Sequence, residues 1–243
     1  MIAAFLLAGA LFAPVRAEPA PLYTGTASPW TLSQGQGTIG VFHPVSYAVS
    51  DHTELITTGL FSFIAPRLEA KHCLLSSEHW GLGLRAGLGT PTPALRLSQG
   101  MLVPSDIEIP WSVVVSAGPV FGWRGGDWNV SLSSQARLAL PPPGMPQLDM
   151  RFGFDALLTP LYYGWCVLER LVIDWHPGEA WVLTGEAGVQ LNHGPDWRGR
   201  LFVLRRLGGH TALGAGWWLT SDLRGDRARM TGSAPLADFQ LRW

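Results

Sequence analysis

Apolar and polar residues alternate along most of this chain, most clearly between residues 111 and 140. From Trp111 to Trp123 the odd positions are mostly large and apolar, whereas the even positions are mostly small or polar. After a turn at 124–127, the even positions from Trp128 to Leu138 are mostly apolar and the odd ones carry amides, hydroxyls and Arg137. A period of two is that of a strand with one apolar face. The segment therefore predicts a β-hairpin.

The same period recurs from residue 37 onward and predicts twelve strands. They are Gly37–Val49, Thr53–Ile64, Arg67–Leu75, His79–Thr90, Pro110–Trp123, Asp127–Leu140, Arg151–Tyr163, Trp165–Trp175, Ala180–Asn192, Gly199–Leu207, His210–Leu223 and Pro235–Trp243. An even number is the rule for bacterial single-chain barrels. Arg67–Leu75 and Arg151–Tyr163 have the weakest patterns, so ten strands is the alternative. Leu95–Val103, inside the Pro-rich connection Pro91–Ile109, is the reserve candidate.

The tryptophans favour a membrane barrel over a soluble sandwich, which would also alternate. Trp111 and Trp123 share one face twelve residues apart, and Trp165 and Trp175 lie ten apart. At about 3.3 Å per residue and a tilt near ~40°, these spacings project to roughly 25–30 Å, the height of a lipid-facing band between aromatic girdles. Charged residues are only 14% of the chain, against roughly 25% in soluble domains. The predicted girdle consists of Trp80, Trp111, Trp123, Trp128, Trp165, Trp175, Trp181 and Trp217.

The last nine residues carry the strongest single pattern. Their apolar face is Ala237, Phe239, Leu241 and Trp243, and their polar face is Asp238, Gln240 and Arg242. This resembles the closing strand of bacterial outer-membrane β-barrels, in which a final aromatic residue marks the strand for the assembly machinery. The resemblance implies the outer membrane as location, its lipid, lipopolysaccharide and assembly machinery as partners, and Phe239, Leu241 and Trp243 as the assembly signal. Thr38–Val49 and Glu54–Lys71 also resemble uncharacterised outer-membrane barrels of transporter type.

Two observations do not fit a simple barrel. If both termini are periplasmic, the predicted strand count puts the long Pro91–Ile109 connection on the periplasmic side, where connections are usually short. Either the count before it is wrong or the barrel is atypical. Glu169 also shares the apolar face of Trp165 and Ile173. A bulge near Leu168 or a contact between protomers would remove it from lipid.

The N-terminus predicts export. Ile2–Ala13 is an apolar stretch followed by Val15-Arg16-Ala17, which has the form of a cleavage site, so residues 1–17 are expected to be a signal peptide. Residues 18–36 contain Pro, Ser and Gly without periodicity and are expected to be a periplasmic lead-in segment. Residues 37–243 form the predicted all-β, transmembrane, antiparallel up-and-down barrel.

The polar strand face supplies the predicted lumen. Its candidate residues are Arg85, Gln135, Arg137, Asp155, Glu186, Gln190, Asp222, Asp238 and Arg242. In a barrel of ten to twelve strands these charges either pair and fill the interior or line a narrow pore that selects solutes. Glycines on the same face, at Gly81, Gly83, Gly87 and Gly89, leave space and favour a pore.

No motif identifies catalysis, and the prediction is no catalytic residue, no metal and no cofactor. His43, His52, His79 and His210 are candidate histidines, but no Gly-x-Ser-x-Gly elbow accompanies them. No Cys-x-x-Cys or His-x-x-x-His spacing is present. The formal net charge of −1 argues against a nucleic-acid partner.

Cys73 and Cys166 are the two cysteines. They lie on predicted strands far apart in sequence, so we expect two free thiols, buried or membrane-facing, and a disulfide is the alternative.

The sequence thus predicts an outer-membrane barrel forming a narrow channel or transporter for small solutes. A structural or surface-interaction barrel with a plugged lumen and a lipid-modifying outer-membrane enzyme are the alternatives. Oligomeric state and substrate stay open.

Overall fold

The described residues form twelve strands, a short helix at residues 92–97 and helical positions at 160, 161 and 163. A computed structural model describes residues 28–40, 44–57, 59, 62, 65–100, 103, 105–141, 160–161, 163–191, 195–222 and 229–243, with the side chains of 195–196, 220–222, 229–232 and 234 outside the description. The strands are β1 Gly37–Gly40, β2 Val45–Ser50, β3 Thr53–Thr57, β4 Arg67–Ser76, β5 Trp80–Gly89, β6 Val113–Gly125, β7 Trp128–Leu140, β8 Trp165–Trp175, β9 Trp181–Leu191, β10 Pro195–Arg206, β11 Thr211–Asp222 and β12 Arg229–Arg242, and the helix is α1 Thr92–Leu97.

Each strand pairs antiparallel with its neighbours in sequence, and β1 pairs with β12, so the sheet closes into an up-and-down barrel. Reciprocal backbone hydrogen bonds of 3.1 Å between Gly37 and Trp243 complete the closure. The Trp243 ring lies against the position that a Gly37 side chain would occupy. The predicted fold class is therefore confirmed. No helix among the described residues has the length and apolar character to cross a bilayer.

Two strand predictions are wrong, but the total of twelve strands is still correct because one error adds a strand and the other removes one. The predicted strand Gly37–Val49 is two strands, β1 and β2, separated by residues 41–44. The predicted strand Arg151–Tyr163 has no place in the barrel, because β7 pairs directly with β8, from Leu138 opposite Trp165. Its residues 160, 161 and 163 are helical, and its other residues lie outside the described ones. The reserve candidate Leu95–Val103 begins in helix α1 rather than in a strand.

The split of the first strand also resolves the position of the long connection. Five strands precede residue 90, so the 90–112 connection lies at the end of the barrel opposite the chain termini, which we call the loop end. At the other end, the terminus end, the connections are 51–52, 77–79, 126–127, 176–180 and 207–210. The strand count before the connection was the error. The connections at the terminus end are all short, whereas the loop end combines the short connections 41–44 and 192–194 with longer ones.

The outer face of the barrel is apolar. Leu201 is 65% exposed, and many outward leucines, valines and tryptophans are similarly open. An apolar surface of this extent is incompatible with a water-facing sheet and typical of a lipid-facing one. Trp80 pairs with Trp123 and Trp128 with Trp175 around the terminus end, the last two stacked with centroids 5.6 Å apart.

The remaining predicted girdle residues also lie on the outside. Trp181 begins β9 at the terminus end, whereas Trp165 begins β8 at the loop end and Trp111 just precedes β6 there. Trp217 is exposed in the middle of β11. Phe239, Leu241 and Trp243 are exposed as well.

Glu169 points outward without any bulge, because the pairing of β8 with β7 and with β9 runs in register past Leu168. The carboxylate accepts a 2.6 Å hydrogen bond from the hydroxyl of Ser134, its cross-strand neighbour. The predicted bulge is therefore wrong, and a polar cross-strand pair takes its place on the lipid-facing side.

The loop end carries a small apolar cluster that contains buried Leu95, Val103, Ile109, Ala139 and Leu161. Arg96 of α1 ties the helix to the last residues of the same connection, just before β6, since its guanidinium donates to the Ile109 carbonyl at 2.9 Å and lies 5.1 Å from the Trp111 ring. Residues of the 90–112 and 141–164 connections thus pack together with Ala139, at the loop end of β7.

Candidate functional site

The candidate site is the lumen, formed by the buried alternate positions of the strands. Of the predicted lumen residues, Arg85, Gln135, Arg137, Gln190 and Asp238 are buried on this inner face. Glu186 binds two inward arginines, and Arg242 donates to Gln36 at 2.5 Å. Asp155 and the side chain of Asp222 lie outside the described residues.

The first feature of the lumen is the chain's own N-terminal segment, residues 28–36. Its residues Ser28, Thr31 and Leu32 are buried, and Pro29 is among the least exposed side chains of the barrel. The hydroxyl of Thr31 donates to the Asp51 carbonyl at 2.5 Å. These residues belong to the predicted lead-in segment, and they lie inside the barrel at the terminus end.

A buried ion pair holds this segment. Lys71 is 1% exposed and lies 2.9 Å from Glu54 across the β3–β4 pair. Its ammonium group also donates to the Trp30 carbonyl at 2.7 Å. Glu54 in turn accepts a backbone hydrogen bond from Leu32. A buried pair whose members make further hydrogen bonds is fully compensated, and here the compensation comes from the inserted segment.

The glycines near the terminus end make room for the segment. An added side-chain carbon at Gly122 would lie 2.5 Å from Pro29 Cδ, and one at Gly81 would lie 3.1 Å from Pro29 Cγ. The Trp30 ring covers the same wall and lies 4.9 Å from the Arg124 guanidinium. The space predicted to favour a pore at Gly81 and Gly83 is therefore filled by the chain itself. Gly87 and Gly89 instead lie close to Glu69 and Arg67.

Toward the loop end, six arginines and two glutamates form a second region, which we call the waist. They are Arg67, Arg85, Arg137, Arg170, Arg198, Arg200, Glu69 and Glu186. Glu69 is buried and binds both Arg67 and Arg85. Gln135 donates to the same carboxylate at 3.2 Å, so Glu69 accepts from three side chains.

Glu186 is the second acceptor of the waist. Arg170, on β8, grips it with two hydrogen bonds of 2.6 and 2.8 Å. Arg200, on β10, approaches its other side at 2.9 Å. Each glutamate of the waist is thus shared by two arginines, and four of the six guanidinium groups are accounted for.

Arg137 and Arg198 are the two arginines of the waist that bind neither glutamate. Arg137 is buried and, among the described residues, donates only to the Gln135 side chain, at 3.0 and 3.2 Å. Arg198 lies over Gly188, and its buried Nε has no hydrogen-bond partner. Within the described residues, no carboxylate lies within 4.0 Å of either guanidinium. The positive charge of Arg67 acts on both guanidinium groups, whereas Glu69 attracts Arg137 and Glu186 attracts Arg198 from beyond 4.0 Å. The described residues of the waist therefore carry an excess of positive charge.

Sequence reasoning missed several charged residues of the lumen. They are Glu54, Arg67, Glu69, Lys71, Arg170, Arg198 and Arg200. The period of two could have found most of them, since Arg67, Glu69 and Lys71 alternate with Leu68 and Ala70. Their pairing partners lie on other strands and have no signal in the sequence.

The cysteines and metal candidates complete the inventory of the site. Cys73 and Cys166 are both buried and free of a disulfide, as expected. Among the described residues, no three His, Cys, Asp or Glu side chains group closely enough to hold a metal ion. His43 lies outside the described residues.

No family model and no curated protein matches the chain. Among solved structures, it is similar to in-vitro folded OmpT, an outer membrane protein of Vibrio cholerae, with a TM-score of 0.41 and 9% identity over 98% of this chain and 72% of that one. It is also similar to the outer membrane channel DcaP of Acinetobacter baumannii, with a TM-score of 0.41 and 10% identity over 93% of this chain and 68% of that one.

Proposed function

We propose that this barrel lies in the bacterial outer membrane and forms a narrow channel for small solutes. The observation that carries the proposal is the excess of arginines over carboxylates among the described residues of the waist. In a barrel filled only for stability, buried charges are expected to be paired. Six guanidinium groups around two carboxylates are instead stable where water and mobile ions reach them. Side chains of Arg170 and Arg200 are 16% and 22% exposed to that interior.

The outer-membrane location is supported by the apolar exterior, the tryptophan rows and the C-terminal strand. Trp243→Asp tests it in cells. The change puts a carboxylate where the aromatic residue packs over Gly37 at the seam of β1 and β12, so we expect no assembled barrel in the outer-membrane fraction. Normal heat-modifiable migration of the variant would contradict the assembly role of this residue. Trp111→Asp, a similar change remote from the seam, is the control.

Planar-bilayer recording tests the channel. We expect discrete conductance steps from the purified barrel, and we expect Arg85→Ala or Glu186→Ala to change their size because both residues belong to the waist. Arg205→Gln, which removes a charge from the outer face beside Trp181, is expected to leave them unchanged. Silence in bilayers together with no osmotic swelling of liposomes would contradict the proposal.

A second candidate, a plugged structural barrel, is favoured by the N-terminal segment in the lumen. The two candidates differ in one measurement. If conductance is absent from the full chain but present once residues 28–33 are removed, the native barrel is closed. A lipid-modifying activity stays a prediction, and release of acyl chains from phospholipid or lipid A in micelles is its test.

A further inference from the structure

We propose that Arg137 and Arg198 form a binding site in the lumen for small oxyanions that carry a carboxylate or phosphate group. The inference rests on the proposed channel function and names its class of solute. It starts from the charge balance of the waist, where Glu69 and Glu186 are each engaged by two other arginines.

Burial makes this imbalance costly. Taking a guanidinium ion out of water costs several kcal/mol unless an opposite charge and hydrogen bonds replace the lost hydration. Within the part of the chain that the structure describes, Arg137 has only the neutral Gln135 oxygen as acceptor, and the buried Nε of Arg198 has none. Arg67 repels both. Glu69 attracts Arg137 and Glu186 attracts Arg198 only from a distance, because each carboxylate is already bound by two other arginines. A bound anion would supply the missing charge and the missing acceptors at once.

The donors suit an oxyanion better than a chloride ion. Guanidinium groups present parallel N–H donors whose spacing matches two oxygens of a carboxylate or phosphate. Arg198 keeps part of its surface open to the lumen, so a solute can reach it.

The amide group of Gln190 is a third hydrogen-bond donor close to Arg198. Gln190 on β9 is one inward position from Gly188, over which Arg198 lies. Its side chain is 2% exposed, and neither its amide nitrogen nor its amide oxygen has a hydrogen-bond partner. A buried amide without partners is unusual in a folded protein, and an anion bound by Arg198 would accept from its N–H group.

The contrast with Lys71 shows what a satisfied lumen cation looks like. Lys71 has its own carboxylate, Glu54, and a backbone carbonyl at 2.7 Å. Arg137 and Arg198 have neither among the described residues. The same inner wall therefore contains one cation completed by the protein and two that a solute can complete.

Titration of the purified full barrel with inorganic phosphate in detergent, followed by calorimetry, tests the site. We expect saturable binding that weakens with added salt, because the interaction is between charges. Arg137→Gln and Arg198→Gln should each weaken binding by about tenfold or more, the loss expected for one charge-assisted contact. Arg205→Gln, on the outer face, is the matched control and should bind like the parent.

Heat-modifiable migration establishes that each variant is folded. Arg137→Lys and Arg198→Lys keep the positive charge but lose the paired N–H donors of the guanidinium group. They should bind phosphate with an affinity between those of the parent and the Gln variants. If a variant does not fold, the parent alone decides: phosphate should raise its thermal unfolding midpoint more than chloride at equal ionic strength. Saturable binding unaffected by either Gln change, or equally reduced in Arg205→Gln, overturns the site.

The two proposals can fail separately. A conducting barrel that shows no saturable phosphate binding overturns the oxyanion site and leaves the channel standing. A silent barrel that binds phosphate through Arg137 and Arg198 supports the site and overturns the channel. With acetate in place of phosphate, the variants should rank in the same order of binding affinity, because both ligands present two oxygens to a guanidinium group.

Discussion

The two regions of the lumen, the N-terminal segment at the terminus end and the arginine waist, treat buried charge in opposite ways. Around the segment, Lys71 and Glu54 form one pair, and the segment's own backbone uses their remaining hydrogen-bonding capacity. In the waist, arginines outnumber glutamates three to one. Both regions lie on the inner face of the barrel, and strands β4 and β5 contribute to both.

The difference separates the part of the lumen that resembles a protein interior from the part that we propose to bind solutes. Close packing and matched charges are typical of a protein interior. An excess of one charge is unfavourable for folding and useful only where a mobile ion of opposite charge enters. We therefore interpret the segment as interior structure and the waist as the functional surface.

The largest expected effect comes from removing the segment. A refolded chain that begins at residue 34 lacks buried Pro29, Thr31 and Leu32, so the lumen at the terminus end should widen. We expect its single-channel conductance to rise several-fold over that of the full chain recorded in parallel. Unchanged conductance would mean that the waist alone limits flow.

Removing a cation from each region should change the free energy of unfolding by different amounts. Lys71→Met leaves Glu54 buried without a cation and should lower the free energy of unfolding by about 3–5 kcal/mol. Arg137→Met removes an uncompensated cation and should cost little or stabilise the barrel. Urea unfolding in lipid vesicles, followed by tryptophan fluorescence, measures both. Adding Glu54→Gln to Lys71→Met should recover much of the loss, and equal losses for Lys71→Met and Arg137→Met would contradict the comparison.

A smaller effect is expected from filling the space that the segment uses. Gly122→Ala puts a carbon 2.5 Å from Pro29 Cδ, and such overpacking typically costs about 1–3 kcal/mol. The displaced segment should also become sensitive to protease. Gly185→Ala is the matched control, since only a Leu201 methyl at 3.9 Å lies near its added carbon. Similar protease resistance in both variants would show that the segment does not depend on this wall.

The smallest effect is a pH dependence at the turn between β8 and β9. Burial, followed by the nearby Arg206 charge, lowers the pKa of His176, whose ring lies 3.0 Å from the Asn129 amide. A lowered pKa in the folded state means that the unfolded chain binds the proton more readily. The contribution of His176 to stability is therefore present above its unfolded pKa of about 6.5 and declines as the pH falls toward the folded value.

His176→Asn should remove this part of the pH dependence below pH ~6.5, measured as unfolding midpoints in urea from pH 7.5 to 5. His210→Asn, at an exposed position, is the control. A parent whose midpoint does not change over that range would contradict the prediction.

The sequence predicted the strand faces well because a lipid-facing residue and a lumen-facing residue differ in chemistry at every step. It failed at residues 41–44 for a physical reason. That connection has four residues, so Ile39 of β1 and Tyr47 of β2 keep the same parity and the alternation continues through the turn. Pro44, which cannot donate to a strand ladder, was the available signal. At Arg151–Tyr163 the sequence instead predicted a strand that the barrel lacks. The apolar Leu161 packs in the loop-end cluster and does not face lipid.

By itself, the sequence determined the class of fold, the faces of most strands, the tryptophan rows and the closing strand, because each depends on local alternation. Only the tertiary structure decided what fills the lumen. That the segment 28–36 occupies the space beside Gly122, that Lys71 finds Glu54, and that Arg137 and Arg198 find no carboxylate are facts about residues distant in sequence. They depend on strand register and barrel closure, which bring chain segments together without leaving a period in the sequence.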